Sequence, residues 1–329
     1  MDERLILFNG PREIVETARD RIDPDKVLSM QTMTGGRGIR SLQIVVDKAN
    51  RQEVVDALQV GLGKKKDWSL TILQSEVVLP AREEASSARD LIAETGQTRE
   101  ELLAEVTRAA RLDQNYLAMV VLSTIVAAIG LLSDNIAVVI GAMVIAPLLG
   151  PILAFALAVA LGDLGLMRRA FLVNGAGVGL TLILCVLIGL GLGTLPTSHE
   201  VMARTAVGLD GVALALASGA AAALSLLAGS SGVLVGVMVA VALLPPAAAM
   251  GLTLGAGQWN AAVGASLLLA VNVVSVTLAA QAVFVLRKIT PRTWYRQQAA
   301  RRAVRINLAG WAVLLAALVA ILWTRQPGF

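Results

Sequence analysis

The stretch that decides the fold is AVVIGAMVIAPLLGPILAFALAVALGD, residues 137–163, together with a second copy, GVLVGVMVAVALLPPAAAMGLTLGAGQ, residues 232–258. The two copies align without a gap at an offset of 95 residues, and ten of their 27 positions are identical. The shared Gly, Met and Pro residues count for more than the shared aliphatic residues, because aliphatic residues recur in any lipid-facing helix. The alignment predicts a duplicated helical bundle.

The rest of the chain separates into a charged first third and an apolar remainder. Of the 329 residues, 56% are hydrophobic and only 16% are charged, against about 25% charged in an average soluble domain. Four of the 24 carboxylates lie beyond residue 114, at Asp134, Asp163, Glu200 and Asp210. Because one helical crossing of a bilayer takes about 20 apolar residues, the long uncharged windows predict a polytopic α-helical protein in a lipid bilayer.

We predict seven spans from these windows, with a 3+3 inverted repeat. Three crossings separate the two copies, and an odd number turns the second copy upside down. Spans one to three and four to six would then be related by a pseudo-twofold axis in the membrane plane, as in many secondary transporters. The predicted spans are 115–132, 135–161, 170–193, 205–228, 232–255, 262–286 and 306–324.

The loops predict the orientation of the chain. Arg168, Arg169 and the basic residues of 287–305 resist translocation, so the loops that contain them are expected on the inner side. No secretory signal is visible at Met1. We therefore expect a multi-pass protein of the cell membrane, with the N-terminus in the cytoplasm and the C-terminus outside.

In residues 1–80, alternating apolar and polar residues, separated by residues that break regular structure, predict two β-α-β units. This arrangement is a ferredoxin-like α+β domain, which we expect in the cytoplasm. Such a domain is either an oligomerisation module or a sensor of a regulatory ligand. The other predicted regions are a charged helical linker continuing into the first span (81–114), the inverted-repeat domain (115–286), a basic cytoplasmic linker (287–305) and the seventh helix with the outer C-terminus (306–329). The predicted strands are 4–8, 27–33, 41–46 and 68–79, and the predicted helices are 11–21 and 50–60.

Helix-breaking residues lie near the middle of both copies. Proline removes a backbone donor and leaves carbonyl oxygens that need partners away from lipid. Interrupted helices at matching positions indicate an ion or substrate site, although packing kinks would give the same pattern. The residues concerned are Pro147, Gly150 and Pro151 in the first copy and Pro245 and Pro246 in the second.

Polar residues of the spans complete the candidate site. Asn174 and Asn272 lie in the corresponding third and sixth spans, and Ser275 follows Asn272 by one turn. Such groups either bind an ion or solute or join neighbouring helices. Asn135 opens the second span and Asp210 lies just inside the fourth. Arg204 is the obvious partner of Asp210, unless both lie at the outer interface.

The sequence resembles the bacterial and archaeal membrane proteins classed as domain of unknown function 389. The resemblance rests on Asp134-Asn135 with IGAMVIAPLLGPI at 140–152, and on Ala203-Arg204-Thr205 with GVMVAVALLPP at 236–246 and Asn272. It covers most of residues 115–286 and implies the same membrane architecture. Because that family has no agreed activity, the resemblance implies no ligand.

Two functions remain open: a transporter or channel for an ion or small polar solute, or a non-transporting membrane sensor or scaffold that signals through the cytoplasmic domain. An enzyme is not expected, because the spans contain no histidine, one cysteine and almost no carboxylate. No metal site, cofactor or nucleic-acid partner is indicated. Small residues along 217–223 allow close helix packing and suggest a homo-oligomer.

Overall fold

The computed structural model describes residues 3–34, 39–47, 50–60, 67–74, 98–194, 198–206, 208–229, 233–287, 289 and 294–325. For residues 74, 233–242, 294–306 and 324–325 it describes the backbone alone. The chain forms two compact units, Met1–Glu101 and Leu102–Phe329.

The first unit is built on a four-stranded antiparallel sheet. Its described elements are β1 (Arg4–Pro11), α1 (Arg12–Arg19), β2 (Ser29–Thr34), β3 (Ile39–Val46), α2 (Arg51–Gln59) and β4 (Ser69–Gln74). The strand order across the sheet is β2-β3-β1-β4, with every neighbouring pair antiparallel. Each predicted strand and helix is present with slightly different ends, and residues 75–79 of the last predicted strand lie outside the described residues.

Side-chain alternation along the strands places one face of the sheet in a core. Ile6 and Phe8 of β1 are fully buried, and they pair with Ile44 and Leu42 of the neighbouring strand β3. Apolar side chains of α1 and α2 belong to the same buried cluster. Both helices therefore cover the same face of the sheet.

A capping box begins the next helix, α3 (Arg99–Ala109). The Thr98 backbone N–H donates to Oε2 of Glu101 at 2.6 Å, and the Glu101 N–H donates to Oγ1 of Thr98 at 3.2 Å. This reciprocal pair satisfies two backbone donors at a helix start, as the spacing predicts. Nε of the buried Arg4 lies 3.4 Å from the same carboxylate.

The predicted continuous helix from the linker into the first span is wrong. α3 ends at Ala109, and Asp113 begins a new helix. The Asp113 backbone is extended, and its side chain accepts the Tyr116 N–H at 2.7 Å. Because an N-cap residue leaves the helical conformation in order to bond the first turn, a break is required here. Residues 81–97 of the predicted linker lie outside the described part of the chain.

The second unit consists of helices throughout its described residues. They are α4 (Gln114–Leu132), α5 (Ile136–Ile145), α6 (Leu149–Leu161), α7 (Leu164–Leu192), α8 (His199–Ala203), α9 (Leu209–Ala228), α10 (Val233–Gly255), α11 (Trp259–Leu286) and α12 (Trp294–Arg325). In the part of the chain that could be searched, α4, α7, α9 and α11 are long and apolar enough to cross a membrane, with a fifth crossing if α5 and α6 form one bent span. Several apolar helices of this kind are typical of a membrane protein. The remaining predicted spans stay predictions.

The helix boundaries recur at the offset found in the sequence. Gln114 begins α4 and Leu209 begins α9, and Leu164 begins α7 and Trp259 begins α11, each pair exactly 95 residues apart. The backbone turns recur as well, because the left-handed φ of Asp134 (54°) has its counterpart in Gly229 (68°). The offset of 95 residues therefore recurs in two pairs of helix starts and in one turn outside the aligned sequence.

The two copies also end in the same hydrogen-bonded turn. In the first copy, Asp163 N–H donates to the Ala158 carbonyl at 2.9 Å; in the second, Gln258 N–H donates to the Thr253 carbonyl at 2.8 Å. A left-handed glycine precedes each donor. This is a Schellman ending, in which glycine meets the positive φ without a side-chain penalty.

Only the first copy has an interrupted helix. α5 ends at Ile145. The next residue, Ala146, has an extended backbone (φ −68°, ψ 122°) and precedes Pro147, and the axis of α6 is bent by 51° from that of α5. A residue before proline is disfavoured in the α conformation. The predicted interruption of the second copy is wrong, since α10 continues through Pro245 and Pro246. The counterpart of Pro147 is Ala242, so the residue that breaks the first copy is missing from the second.

Helices of the two copies pack against each other reciprocally. α10 contacts α7 of the first copy, and α11 of the second copy contacts α6. At the first of these crossings Gly251 lies against Cys185, which is buried. These crossings form the main core of the second unit.

Candidate functional site: a polar cavity in the second unit

A cavity of about 330 Å³ lies between α9, α10, α11 and the segment that precedes α9. Its polar lining comes from Arg204, Asp210, Ser218 and Asn272. The remaining wall is small or apolar and includes Pro246. This volume is at the lower end of the range for small-molecule sites, so the cavity is large enough for a small solute or a partly hydrated ion.

Helical spacing explains which residues reach the cavity. On α9, Gly211, Ala215 and Ser218 follow one another at intervals of four and three residues, which places them on one face. On α11, Leu268 and Asn272 are four residues apart and share a face in the same way. The two faces meet at the cavity.

Two glycines bring the surrounding backbone close. A Cβ atom at Gly219 of α9 would lie 2.5 Å from the Val276 carbonyl oxygen of α11, so glycine is needed at this crossing. Gly264 of α11 likewise lies directly against the backbone of Thr205, the residue after Arg204. These contacts hold α9 and the Arg204 segment on α11, and they define two sides of the cavity.

A hydrogen-bonded chain positions Arg204. Nη2 of Arg204 donates to Oε2 of Glu200 at 3.1 Å, and both side chains are largely buried. The Glu200 backbone N–H donates to Oδ1 of Asp134 at 2.7 Å, and the Ser198 hydroxyl donates to the same oxygen at 3.2 Å. The predicted partner of Arg204 was Asp210, but the pair that the described residues form is with Glu200. The short helix α8 explains this, because it places Glu200 one turn before Arg204.

Three predicted site residues, Asp210, Pro246 and Asn272, line the cavity together. Pro245, the neighbour of Pro246, is buried in α10. Ser275 is fully buried in α11 but is not part of the lining, and its hydroxyl has no hydrogen-bond partner among the residues described. Since the two prolines have no N–H, the carbonyl oxygens four residues earlier lack their usual helical donors.

The other predicted site residues lie elsewhere. Asn135 is exposed and caps α5, its side chain accepting the backbone N–H groups of Ala137 and Val138. Asn174 is half-buried on α7 and does not line the cavity. The remaining three predicted residues lie at the interruption of the first copy. Pro147 is between α5 and α6, and Gly150 and Pro151 are in the first turn of α6. The structure therefore does not bring the interruption of the first copy to the cavity lining.

Two contributors were missed by the sequence reasoning. Ser218 lines the cavity and is 4% exposed, and Glu200 balances the charge of Arg204. Ser218 could have been found from its spacing of eight residues after Asp210 within an apolar helix. Glu200 could have been found from its spacing of four residues before Arg204, which suits an ion pair on one helix face. In the searched part of the chain, no group of three His, Cys, Asp or Glu residues could hold a metal ion.

Comparison with known proteins relates this region to a family. The profile of the family described as domain of unknown function (DUF389) matches residues 143–278. These residues are therefore similar to the DUF389 family. The resemblance expected from the sequence is confirmed, and the matched residues include Asp210, Ser218, Pro246 and Asn272 of the cavity.

The similarity to known proteins extends beyond the matched residues. An uncharacterised protein of Methanocaldococcus jannaschii is 29% identical over 316 residues, which cover 96% of this chain and 95% of that protein. No solved structure matches the chain. The similarity to this archaeal protein therefore covers the sequence that flanks residues 143–278 as well.

Proposed function

We propose that the protein is a membrane transporter or channel for an ion or small polar solute, with the cavity between α9, α10 and α11 as its substrate site. The observation that supports this best is the grouping of Asp210, Ser218 and Asn272 around one open space in otherwise apolar helices. Polar groups among membrane helices are costly and are usually paired or functional. Here they line one cavity, which favours a functional role for the group.

The proposed architecture is seven spans with a 3+3 inverted repeat. Equal helix boundaries at the 95-residue offset support the duplication. The reciprocal contacts of α10 with α7 and of α11 with α6 are those that a twofold exchange of the copies requires. Alternating access in such folds moves one repeat against the other around a site near the bilayer midplane. The basic loops support a cytoplasmic N-terminus and an outer C-terminus in the cell membrane.

We propose that the first unit is a ferredoxin-like domain with a regulatory or oligomerisation role in the cytoplasm. Its element order, β-α-β-β-α-β, and its strand order support that fold. The fold by itself specifies no ligand. The small residues of α9 support a homo-oligomer.

Flux through liposomes tests the proposal. Purified full-length protein is reconstituted, and uptake of a panel of ions and small polar solutes is compared for wild type, Asn272→Ala and Asp210→Asn. We expect wild type to move at least one solute and both variants to move it more slowly, because each loses a polar group of the cavity. Asn174→Ala is the matched control, since Asn174 lies on a membrane helix outside the cavity lining.

Three results are informative. Loss of flux in Asn272→Ala but not in Asn174→Ala supports the cavity as the substrate site. Equal loss in both variants would point to helix packing instead. No flux of any solute by wild-type protein would favour the alternative, a membrane sensor or scaffold that signals through the first unit.

A further inference from the structure

The cavity of the second copy has a filled counterpart in the first. At the offset of 95 residues, the cavity residues Gly211, Ala215 and Leu268 correspond to Tyr116, Val120 and Val173. Those three counterparts form a buried apolar cluster of their own. One copy therefore closes with side chains the space that the other leaves open.

Tyr116 is the side chain that fills this space. It is 6% exposed, and its hydroxyl donates to the Val173 carbonyl oxygen at 3.0 Å. The hydroxyl lies against Gly177, where any Cβ atom would collide with it. The counterpart of Gly177 is Asn272, so the second copy has lost the phenol and gained an amide at the same place.

The contact in the first copy indicates what the open site accepts. The Val173 carbonyl uses a lone pair to accept the phenol proton, and the counterpart carbonyl belongs to Leu268, which lines the cavity. The side-chain oxygens at the cavity come from Asp210, Ser218 and Asn272. Their oxygens can accept hydrogen bonds from a ligand or coordinate a cation, whereas the guanidinium of Arg204, which also lines the cavity, can only donate.

The charges point in the same direction. The guanidinium of Arg204 is balanced by the carboxylate of Glu200 at 3.1 Å. Asp210 forms no ion pair within the described part of the chain, and a Cβ atom at Gly211, the next residue, would meet nothing within 4 Å. Among the described residues, the cavity lining thus contains one carboxylate that forms no ion pair, beside an arginine that is paired with Glu200. A site with one such carboxylate and neutral oxygens suits a monovalent cation.

We infer that the cavity binds a single monovalent cation, either an alkali-metal ion with part of its water or a small primary ammonium. Tyr116 is the built-in occupant that closes the equivalent site of the first copy. The protein therefore has one such site despite its two copies. This inference deepens the proposed function, on which it rests for the role of the cavity.

Thermal unfolding of the purified full-length protein in detergent tests the inference without requiring transport. Sodium, potassium and methylammonium chlorides are titrated at constant ionic strength against the bulky cation N-methylglucamine. We expect a saturable rise in the Tm of the wild-type protein. Comparing the alkali-metal salts with methylammonium shows whether the bound cation is a metal ion or a primary ammonium. Asp210→Asn should weaken the apparent affinity on the order of tenfold or more, because it removes a charged acceptor.

Gly211→Tyr should abolish the rise in Tm, since it supplies the second copy with the side chain that fills the first. Gly191→Tyr is the matched control and should keep the wild-type response, because Gly191 is exposed on α7 with open space around it. If Gly211→Tyr does not fold, Asp210→Asn alone decides between the outcomes.

Two results would overturn the inference: a wild-type Tm that is the same in all four cations, or a cation response that persists unchanged in Asp210→Asn. A response to the anion, on replacing chloride by acetate, would also overturn it and assign the site to Arg204. Cation-dependent stabilisation without liposome flux would reject the transport proposal while supporting cation binding, so the two failures are distinguishable.

Discussion

Replacing Gly219 by alanine should separate α9 from α11 beside the cavity. The new Cβ atom would lie 2.5 Å from the Val276 carbonyl oxygen and 2.7 Å from its Cα atom, both in the backbone. Ordinary contact begins at 3.4 Å, so the helices must part by roughly 0.9 Å in a close-packed interior. Overpacking of this kind costs about 1–3 kcal/mol, whereas alanine in place of glycine contributes up to about 1 kcal/mol to helix stability.

Gly211→Ala is the matched control on the same helix, since its Cβ atom would meet nothing within 4 Å. It gains helix propensity without the clash, so Gly219→Ala should be less stable than Gly211→Ala by about 1–3 kcal/mol. The free energy of unfolding is measured for each purified variant in mixed micelles with increasing dodecyl sulfate, followed by circular dichroism. Equal free energies for the two variants, or a more stable Gly219→Ala, would refute the proposed close contact of α9 with α11.

Two further outcomes are expected. Leu164 and Trp259 are equivalent positions of the two copies and are both 69% exposed. Each is changed singly to cysteine after the native cysteine is replaced by alanine. If the copies are inverted, an impermeant maleimide labels the two cysteines from opposite sides of the membrane, and labelling of both from the same side would contradict the inversion. Burial opposes the charge of Glu100, but hydrogen bonds from Arg99 (2.7 Å) and Gln52 (3.0 Å) outweigh it, so the pKa of Glu100 lies below its ordinary value. Its stabilising contribution is therefore present at neutral pH and is lost as pH falls from about 4.3 through the folded-state pKa; acid unfolding of the full chain, followed by circular dichroism, should depend less on pH in this range for Glu100→Gln, and an unchanged pH dependence would count against the contribution.

Much of the fold could be predicted from local pattern. Alternation identified the strands of the first unit, and the capping box at Thr98 and Glu101 could be read from its spacing. The interruption of the helices was predicted for both copies because prolines occur in both. Only Pro147 has an extended residue before it, whereas Pro245 and Pro246 lie inside one continuous helix. The presence of a proline predicts strain, and the surrounding packing decides whether a helix breaks.

The site was predictable only in part. Asp210, Pro246 and Asn272 are unusual residues for apolar spans, and they do line one cavity. The pair of Glu200 and Arg204 has the four-residue spacing of a helical ion pair, but the hydrogen bond from the Glu200 backbone to Asp134, 66 residues away, was not predictable. Such a contact depends on tertiary placement, which hydrophobic periodicity does not encode.

The bond between Asp134 and Glu200 has a mechanical consequence. Asp134 belongs to the turn that opens the second helical segment of one copy, while Glu200 and Arg204 precede the first helix of the other. The guanidinium of Arg204 in one copy is thus connected, through Glu200, to the Asp134 turn of the other copy. The segment that carries Arg204 is thus held by the Asp134 turn of one copy and, through Thr205 and Gly264, by α11 of the other. If the halves rock, this segment must shift relative to one of them, and the electrostatic potential in the cavity changes although no group gains or loses a proton.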